Sequence, residues 1–254
     1  MRRAPAPLKP PEATVSIDIV PRAWTVLCDF DGTISLHDLT DSLLARFARP
    51  GWRALEEEWR AGRIGSRECM AGQIALLDCS REELDAHVAE VQVDAGFNAF
   101  ATALRDEGIP LRIVSDGLDH AIRSILMRHG ISGVPVAASH LVQTGGRRWR
   151  LEFPHARAAC RSSGATCKCA FAETPSGQPA QAVLMIGDGA SDFCAAGRAD
   201  FTFARGELLA NCAERGLPHH AVADFGEALR IWNLLRPARR DHEIDDKEFA
   251  HGRR

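Results

Sequence analysis

Three short apolar runs in this chain each end in a cluster of acids, hydroxyls and glycines, and this repetition constrains the fold most. "WTVLC" runs into "DFDGT", "LRIV" into "SDG", and "AVLMI" into "GDGASD". Apolar runs of this length, bounded by turn formers, read as buried strands. Between them lie segments with apolar spacing of three and four, so strand and helix alternate. That pattern implies an α/β fold, a Rossmann-like three-layer α/β/α core on a mainly parallel sheet. Such sheets bind ligands beyond the carboxyl ends of their strands. The three polar clusters are therefore expected to meet in one cleft.

The alternation has one interruption. Residues 37–95 hold four helical patterns, "DLTDSLLARFA", "WRALEEEWRAG", "SRECMAGQIALL" and "SREELDAHVAEV", with no strand candidate. The last opens on a capping box through Ser80 and Glu83. An inserted all-helical domain over 37–95 is expected, dividing a core made of 23–36 and 96–236. Along the second part run a helix over about 96–107, the strand "LRIVS", a helix over 118–129 and the strand "VPVAA". A hairpin in "SHLVQTGGRRWRLEF" turns at "TGG"; after "GDGASD" come a helix, the strand "FTFA" and a final helix over about 225–235. Residues 1–22, rich in proline, and 237–254, mixed in charge, are expected to be disordered tails.

Composition removes several function classes. A formal net charge of −3 gives no basic field for nucleic acid. No apolar run reaches about 18 residues, so no membrane-spanning helix is expected. The first residues lack the apolar stretch of a secretory signal, and the eight cysteines then read as reduced thiols of a cytoplasmic protein. The expected partner is a small molecule, with no nucleic acid and no membrane, and the chain acts as a monomer or homodimer. Tyrosine is absent, which removes any phenolic acid or nucleophile.

Asp29 and Asp31 are two residues apart, so both point to one face of an extended backbone. Close carboxylates repel unless a cation or a shared proton intervenes. Asp188 and Asp192 add further negative charge from another strand end. A hard divalent cation compensates most simply, and all-oxygen ligation favours Mg²⁺. A carboxylate in such a site can attack phosphorus. A second acid two residues on can protonate the leaving alcohol and later deprotonate a water. The equatorial phosphoryl oxygens need donors and positive charge, which Ser115, the turn amides after it and a lysine can supply. Of only three lysines, Lys168 alone lies well inside the chain.

Two other readings carry less weight. "GDGASD" approximates a dinucleotide fingerprint, but Asp192 stands where a small residue is needed and repels a pyrophosphate. His155, Cys160, Cys167 and Cys169 are of the ligand types of a Cys₃His zinc site. Only a C-x-C pair is present among them, so packed thiols are the plainer reading.

"DFDGT" after an apolar strand, "VSDG", an isolated lysine and "GDGASD", in that order over residues 24–235, resemble the haloacid dehalogenase superfamily in its phosphatase branch. The helical insert resembles the C1-type cap of the phosphoserine-phosphatase-like group. The resemblance implies hydrolysis of phosphate monoesters, with Asp29 as nucleophile and Asp31 as general acid and base. It also implies that Ser115 and Lys168 hold the phosphoryl group. Mg²⁺ would be held by Asp29, the Asp31 carbonyl and Asp188, with Asp192 in support. Implied substrate-binding positions are Thr33, Asp116 and Gly117 in the motifs, and Asp38, Arg67 and Gln73 in the cap.

Gln73 stands where phosphoserine phosphatases carry an arginine for the serine carboxylate, and a neutral amide does not replace a bidentate charge partner. Arg67 is the nearest substitute, and Asp38 falls where a glutamate is usual. A closer resemblance is to the methionine-salvage phosphatases, through "CDFDGT", a "W…L" cap helix, "FPH", Cys160, "CK" and "FAR". Phosphocholine- and phosphoethanolamine-type phosphatases share the Cys-Lys pair and "SDG". A catalytically idle metabolite-binding protein is disfavoured by the presence of Asp29, Asp31 and Lys168. The substrate stays open among these groups.

Overall fold

Side chains alternate along β1 (Trp24–Cys28), and the alternation divides the interior in two. Val26 and Cys28 join one apolar cluster, and Leu27 joins another on the opposite face of the sheet. In the computed structural model, which describes residues 23–160, 162–173 and 181–235, β1 is the middle strand of seven. The others are β2 (Leu111–Leu118), β3 (Val136–Gly145), β4 (Arg148–Glu152), β5 (Ala182–Gly187), β6 (Phe201–Ala204) and β7 (His219–Ala221). Their order is β4-β3-β2-β1-β5-β6-β7, parallel throughout except for the β3–β4 hairpin. The fold is the expected α/β sheet. The expectations for the two terminal tails, 1–22 and 237–254, fall outside the described residues.

Helices cover both faces. α5 (Phe97–Asp106), α6 (Asp119–Arg128) and α10 (Phe225–Leu235) pack on the Val26 side, where Phe97, Phe100, Ile122, Ile125 and Phe225 are buried. On the Leu27 side lie two short helices, α7 (Lys168–Phe171) and α8 (Phe193–Ala196), with Ala172 and Ala195 in the apolar layer. α9 (Gly206–Glu214) follows β6.

Between β1 and α5 the chain forms α1 (Leu39–Phe47), α2 (Trp52–Arg60), α3 (Ser66–Ala75) and α4 (Arg81–Val88). α4 starts on the expected capping box: Ser80 Oγ accepts the Glu83 amide at 3.2 Å, and Glu83 accepts the Ser80 amide at 2.7 Å. The segments entering and leaving this helical stretch run side by side. The amide of Leu36 donates to the Gln92 carbonyl, and that of Asp94 to the Ile34 carbonyl.

The structure departs from the expected elements in three places. "VPVAA" and the first arm of the hairpin are one strand, β3, because no glycine or proline breaks "VAASHLVQT". β3 pairs with β2 through its first half and with β4 through its second. The helix after "GDGASD" is only the single turn of α8, and it is preceded by a 3₁₀ turn, Ala190–Asp192, formed by the end of the motif itself. α7, α9 and β7 were not expected; α7 and β7 are too short to show a period. Among the described residues no helix is long and apolar enough to cross a membrane.

Candidate active site

Parallel pairing of β1 with both β2 and β5 sets three strand ends side by side. Cys28 is in register with Ile113 on one side and Ile186 on the other. The next residue, Asp29, donates its amide to the Ile186 carbonyl at 2.9 Å. On β2 the pairing slips. Val114 faces Ala137 and Leu118 faces Ser139, so four steps on β2 match two on β3. Ser115, Asp116 and Gly117 occupy that bulge, which aims side chains out of the ladder.

Lys168 joins the pieces. It is 2% exposed, and its Nζ lies 2.9 Å from Asp29 Oδ2 and 2.7 Å from Asp192 Oδ1. Its third donor bond, 2.9 Å, goes to Ser191 Oγ. Burial alone pushes the lysine pKa down, but Asp192 and Asp29 outweigh it and hold the ammonium charged above the ordinary lysine range. Asp29 is pushed well up, first by burial and then by Asp192, with Lys168 opposing. Asp31 is also raised, by burial and then by Asp38, while the Leu39 amide at 2.9 Å favours its charged form.

Asp188 and Asp192 divide their tasks. Asp188 accepts the Thr33 hydroxyl at 2.7 Å; burial raises its pKa and this bond eases it. Asp192 is wholly buried beneath the site and accepts the amides of Asp188 and Gly189. Carboxylate oxygens of Asp29, Asp188 and Asp192 lie within 4.8 Å of one another. Two glycines make room for this packing. A side chain on Gly117 would collide with the Asp31 carboxylate, and one on Gly32, at φ +68°, would reach Asp188 Oδ2.

A cavity of about 740 Å³ opens over these groups. Asp29, Asp31, Ser115, Asp116, Gly117, Lys168 and Asp188 line it from the sheet side, and Asp38 and Gln73 from the helical segment. Asp38 caps α1 by accepting the Asp41 amide at 2.8 Å. It stays accessible from the cavity, yet the surrounding protein desolvates it and pushes its pKa up to about 6.

Three sequence-derived positions turn out differently. Arg67 is exposed and does not reach the cavity, because Ser66, Cys69 and Gln73 form the inward face of α3 and Arg67 lies one helical step off it. Thr33 sits behind the lining, bonded to Asp188. Asp116 spends both oxygens on protein, one on Ser66 Oγ at the start of α3 and one on the Thr166 amide at 2.7 Å.

The sequence reading missed Asp41, Glu56, Trp59 and Met70, which also line the cavity. Glu56 accepts from Gln73 Nε2 at 3.2 Å and pairs with Arg60 at 3.0 Å. Their helices offered a signal of amphipathicity, but not of which residues face the core.

The model of the haloacid dehalogenase-like hydrolase family matches residues 26–197. A 2-hydroxy-3-keto-5-methylthiopentenyl-1-phosphate phosphatase of Geobacillus kaustophilus is 32% identical over 80% of this chain and 93% of its own length. One of the same name from Bacillus velezensis is 31% identical over 81% and 88%. Among solved structures, a phospho-aspartyl intermediate analogue of phosphoserine phosphatase superposes with a TM-score of 0.63 at 20% identity, covering 83% of this chain and 99% of that one.

Proposed function

This chain belongs to the haloacid dehalogenase-like hydrolase family, and on that premise we propose that it hydrolyses the phosphate monoester of a small metabolite through an aspartyl-phosphate on Asp29. The observation that carries this reading is the buried ammonium of Lys168 held against both Asp29 and Asp192 at the end of the sheet.

Asp29 attacks phosphorus; its oxygen–phosphorus bond forms as the bond to the ester oxygen breaks. Asp31, whose raised pKa keeps a proton available, passes that proton to the departing alkoxide. A water then attacks the aspartyl-phosphate and Asp31 takes its proton, which restores both carboxyl groups. Lys168 and the Ser115 hydroxyl face the phosphoryl oxygens, and the helical segment 37–95 acts as a cap that limits water.

The donor set fits a hard cation. Three carboxylates converge, the ammonium of Lys168 pairs with two of them, Asp29 and Asp192, and all the ligand atoms are oxygen. Asp29, the Asp31 carbonyl and Asp188 would hold Mg²⁺, with Asp192, buried beneath them, in support. When bound, the ion neutralises charge on the phosphoryl group and helps to keep Asp29 ionised.

For the leaving group, the wall facing the site is acidic, with Asp38, Asp41 and Glu56, while the amide of Gln73 is engaged by Glu56. The carboxylate of phosphoserine finds no unpaired cation among the lining residues, since Arg60 is bound to Glu56 and Lys168 to Asp29 and Asp192, so phosphoserine is disfavoured against a leaving group without a carboxylate. Trp59 and Met70 suit an apolar tail, which agrees with the methylthiopentenyl phosphate named for the bacterial relatives.

Asp29→Asn tests the mechanism: hydrolysis of an aryl phosphate falls by more than about 10⁴-fold while circular dichroism stays unchanged. Near-normal turnover in that variant overturns the role of Asp29. Comparing kcat/KM for phosphoserine and the methylthiopentenyl phosphate tests the substrate class, and a preference for phosphoserine overturns it.

A further inference from the structure

The residues flanking Lys168 belong to a second cluster that phosphate hydrolysis leaves unused. Cys160, Cys167 and Cys169 are buried, and their sulphurs lie within 4.8 Å of one another. The Cys167 and Cys169 sulphurs are 3.5 Å apart. A tetrahedron with a zinc–sulphur distance of about 2.3 Å has edges of about 3.8 Å, so little movement is needed to seat an ion. Cys194, on α8, packs against the same group.

Donors already point at the sulphurs. The Gly164 amide donates to Cys160 Sγ at 3.4 Å. The Ser162 hydroxyl lies 3.4 Å from Cys160 Sγ and 3.6 Å from Cys194 Sγ. Outer donors of this kind orient thiolates around a metal and stabilise their charge. His155 takes no part: its ring packs edge-on against Phe171, and it is the His155 carbonyl that accepts the Cys167 amide.

We propose that Cys160, Cys167, Cys169 and Cys194 form a four-thiolate structural site for Zn²⁺, separate from the carboxylate site. Donor chemistry sorts the two cations, since thiolates select zinc and carboxylates select magnesium. Binding displaces the thiol protons. The ion ties the segment around Lys168 to α8, and Asp192 lies two residues before Cys194. The Lys168–Asp192 ion pair joins the same two segments, so the zinc site positions both partners.

The test uses the full-length protein, reduced and stripped of metal, titrated with Co²⁺ as a spectroscopic stand-in and then with Zn²⁺. One equivalent of Co²⁺ produces a thiolate-to-metal charge-transfer band, which one equivalent of Zn²⁺ abolishes. Cys160→Ser and Cys194→Ser lose the band and weaken zinc binding against a chromophoric chelator by about tenfold or more. Cys212→Ser, buried in a different cluster, and Asp188→Asn both keep the band. A wild-type protein without the band, or a band that survives both serine variants, overturns the proposal. Zinc K-edge absorption on the wild-type protein covers variants that fail to fold. A shell of four sulphurs at about 2.3 Å supports the site, and a shell dominated by oxygen or nitrogen overturns it.

Discussion

Lys168 shows how a single residue can bear opposite demands. Removing an ammonium from water is costly, yet its three donors meet Asp29, Asp192 and Ser191, so none is left unmade. Asp38 lies at the other extreme, a carboxylate with a cap to hold and, among the described residues, no ion pair. Its ordinary value is 3.8 and its folded value about 6. Between these, the folded chain keeps a proton that the unfolded chain has released, so stability falls as pH rises through the window and stays lower above it. Asp38→Asn keeps an oxygen for the Asp41 amide and removes the charge. In urea unfolding without added metal, the variant gains on the wild type at about pH 7 relative to about pH 4.5. A difference that does not change between the two pH values would mean that Asp38 is not strained by its charge.

At the scale of elements, the bulge in β2 matters because Asp116 on it joins two other segments. Its carboxylate takes the Ser66 hydroxyl at the start of α3 and the Thr166 amide before α7. Both donors are buried. Asp116→Ala leaves them unpaired and lowers the unfolding free energy by about 1–3 kcal/mol, with a fall in kcat as the Lys168 turn loosens. Asp116→Asn, which keeps one acceptor, loses less of both. An unchanged urea midpoint in the alanine variant would show that the tie carries no stability. The strand-end motifs were legible in the sequence because each packs its turn and its chemistry into a few contiguous residues. The cavity wall was not, since Glu56, Trp59 and Met70 lie on helices whose rotation is set by packing. The approach of Gly65 to Ser163, which leaves no room for a side chain on Gly65, is one such long-range contact.

Over the whole molecule the net charge is only −3, yet acids gather in one cleft. Asp29, Asp31, Asp38, Asp41, Glu56 and Asp188 line it, with Lys168 and Arg60 as the basic groups among the lining residues. Arg60 is bound to Glu56 at the outer wall, and of the inner carboxylates Asp29 has the Lys168 ammonium in direct contact while Asp188 has only the longer-range charge of Lys168 and Arg205. The folded state without a bound cation therefore holds unrelieved repulsion, and a cation that binds only the folded chain adds stability by mass action. Mg²⁺ at about a hundred times its dissociation constant contributes about 2.7 kcal/mol, which raises the melting temperature by roughly 5–10 °C for a chain of this size. Asp188→Asn, measured by differential scanning calorimetry beside the wild type, loses most of that rise. Its own melting temperature in the absence of Mg²⁺ stays equal or increases, because one repelling charge is gone. A rise that persists undiminished in the variant assigns the ion to another part of the molecule. No rise in the wild type removes the cation from the site altogether.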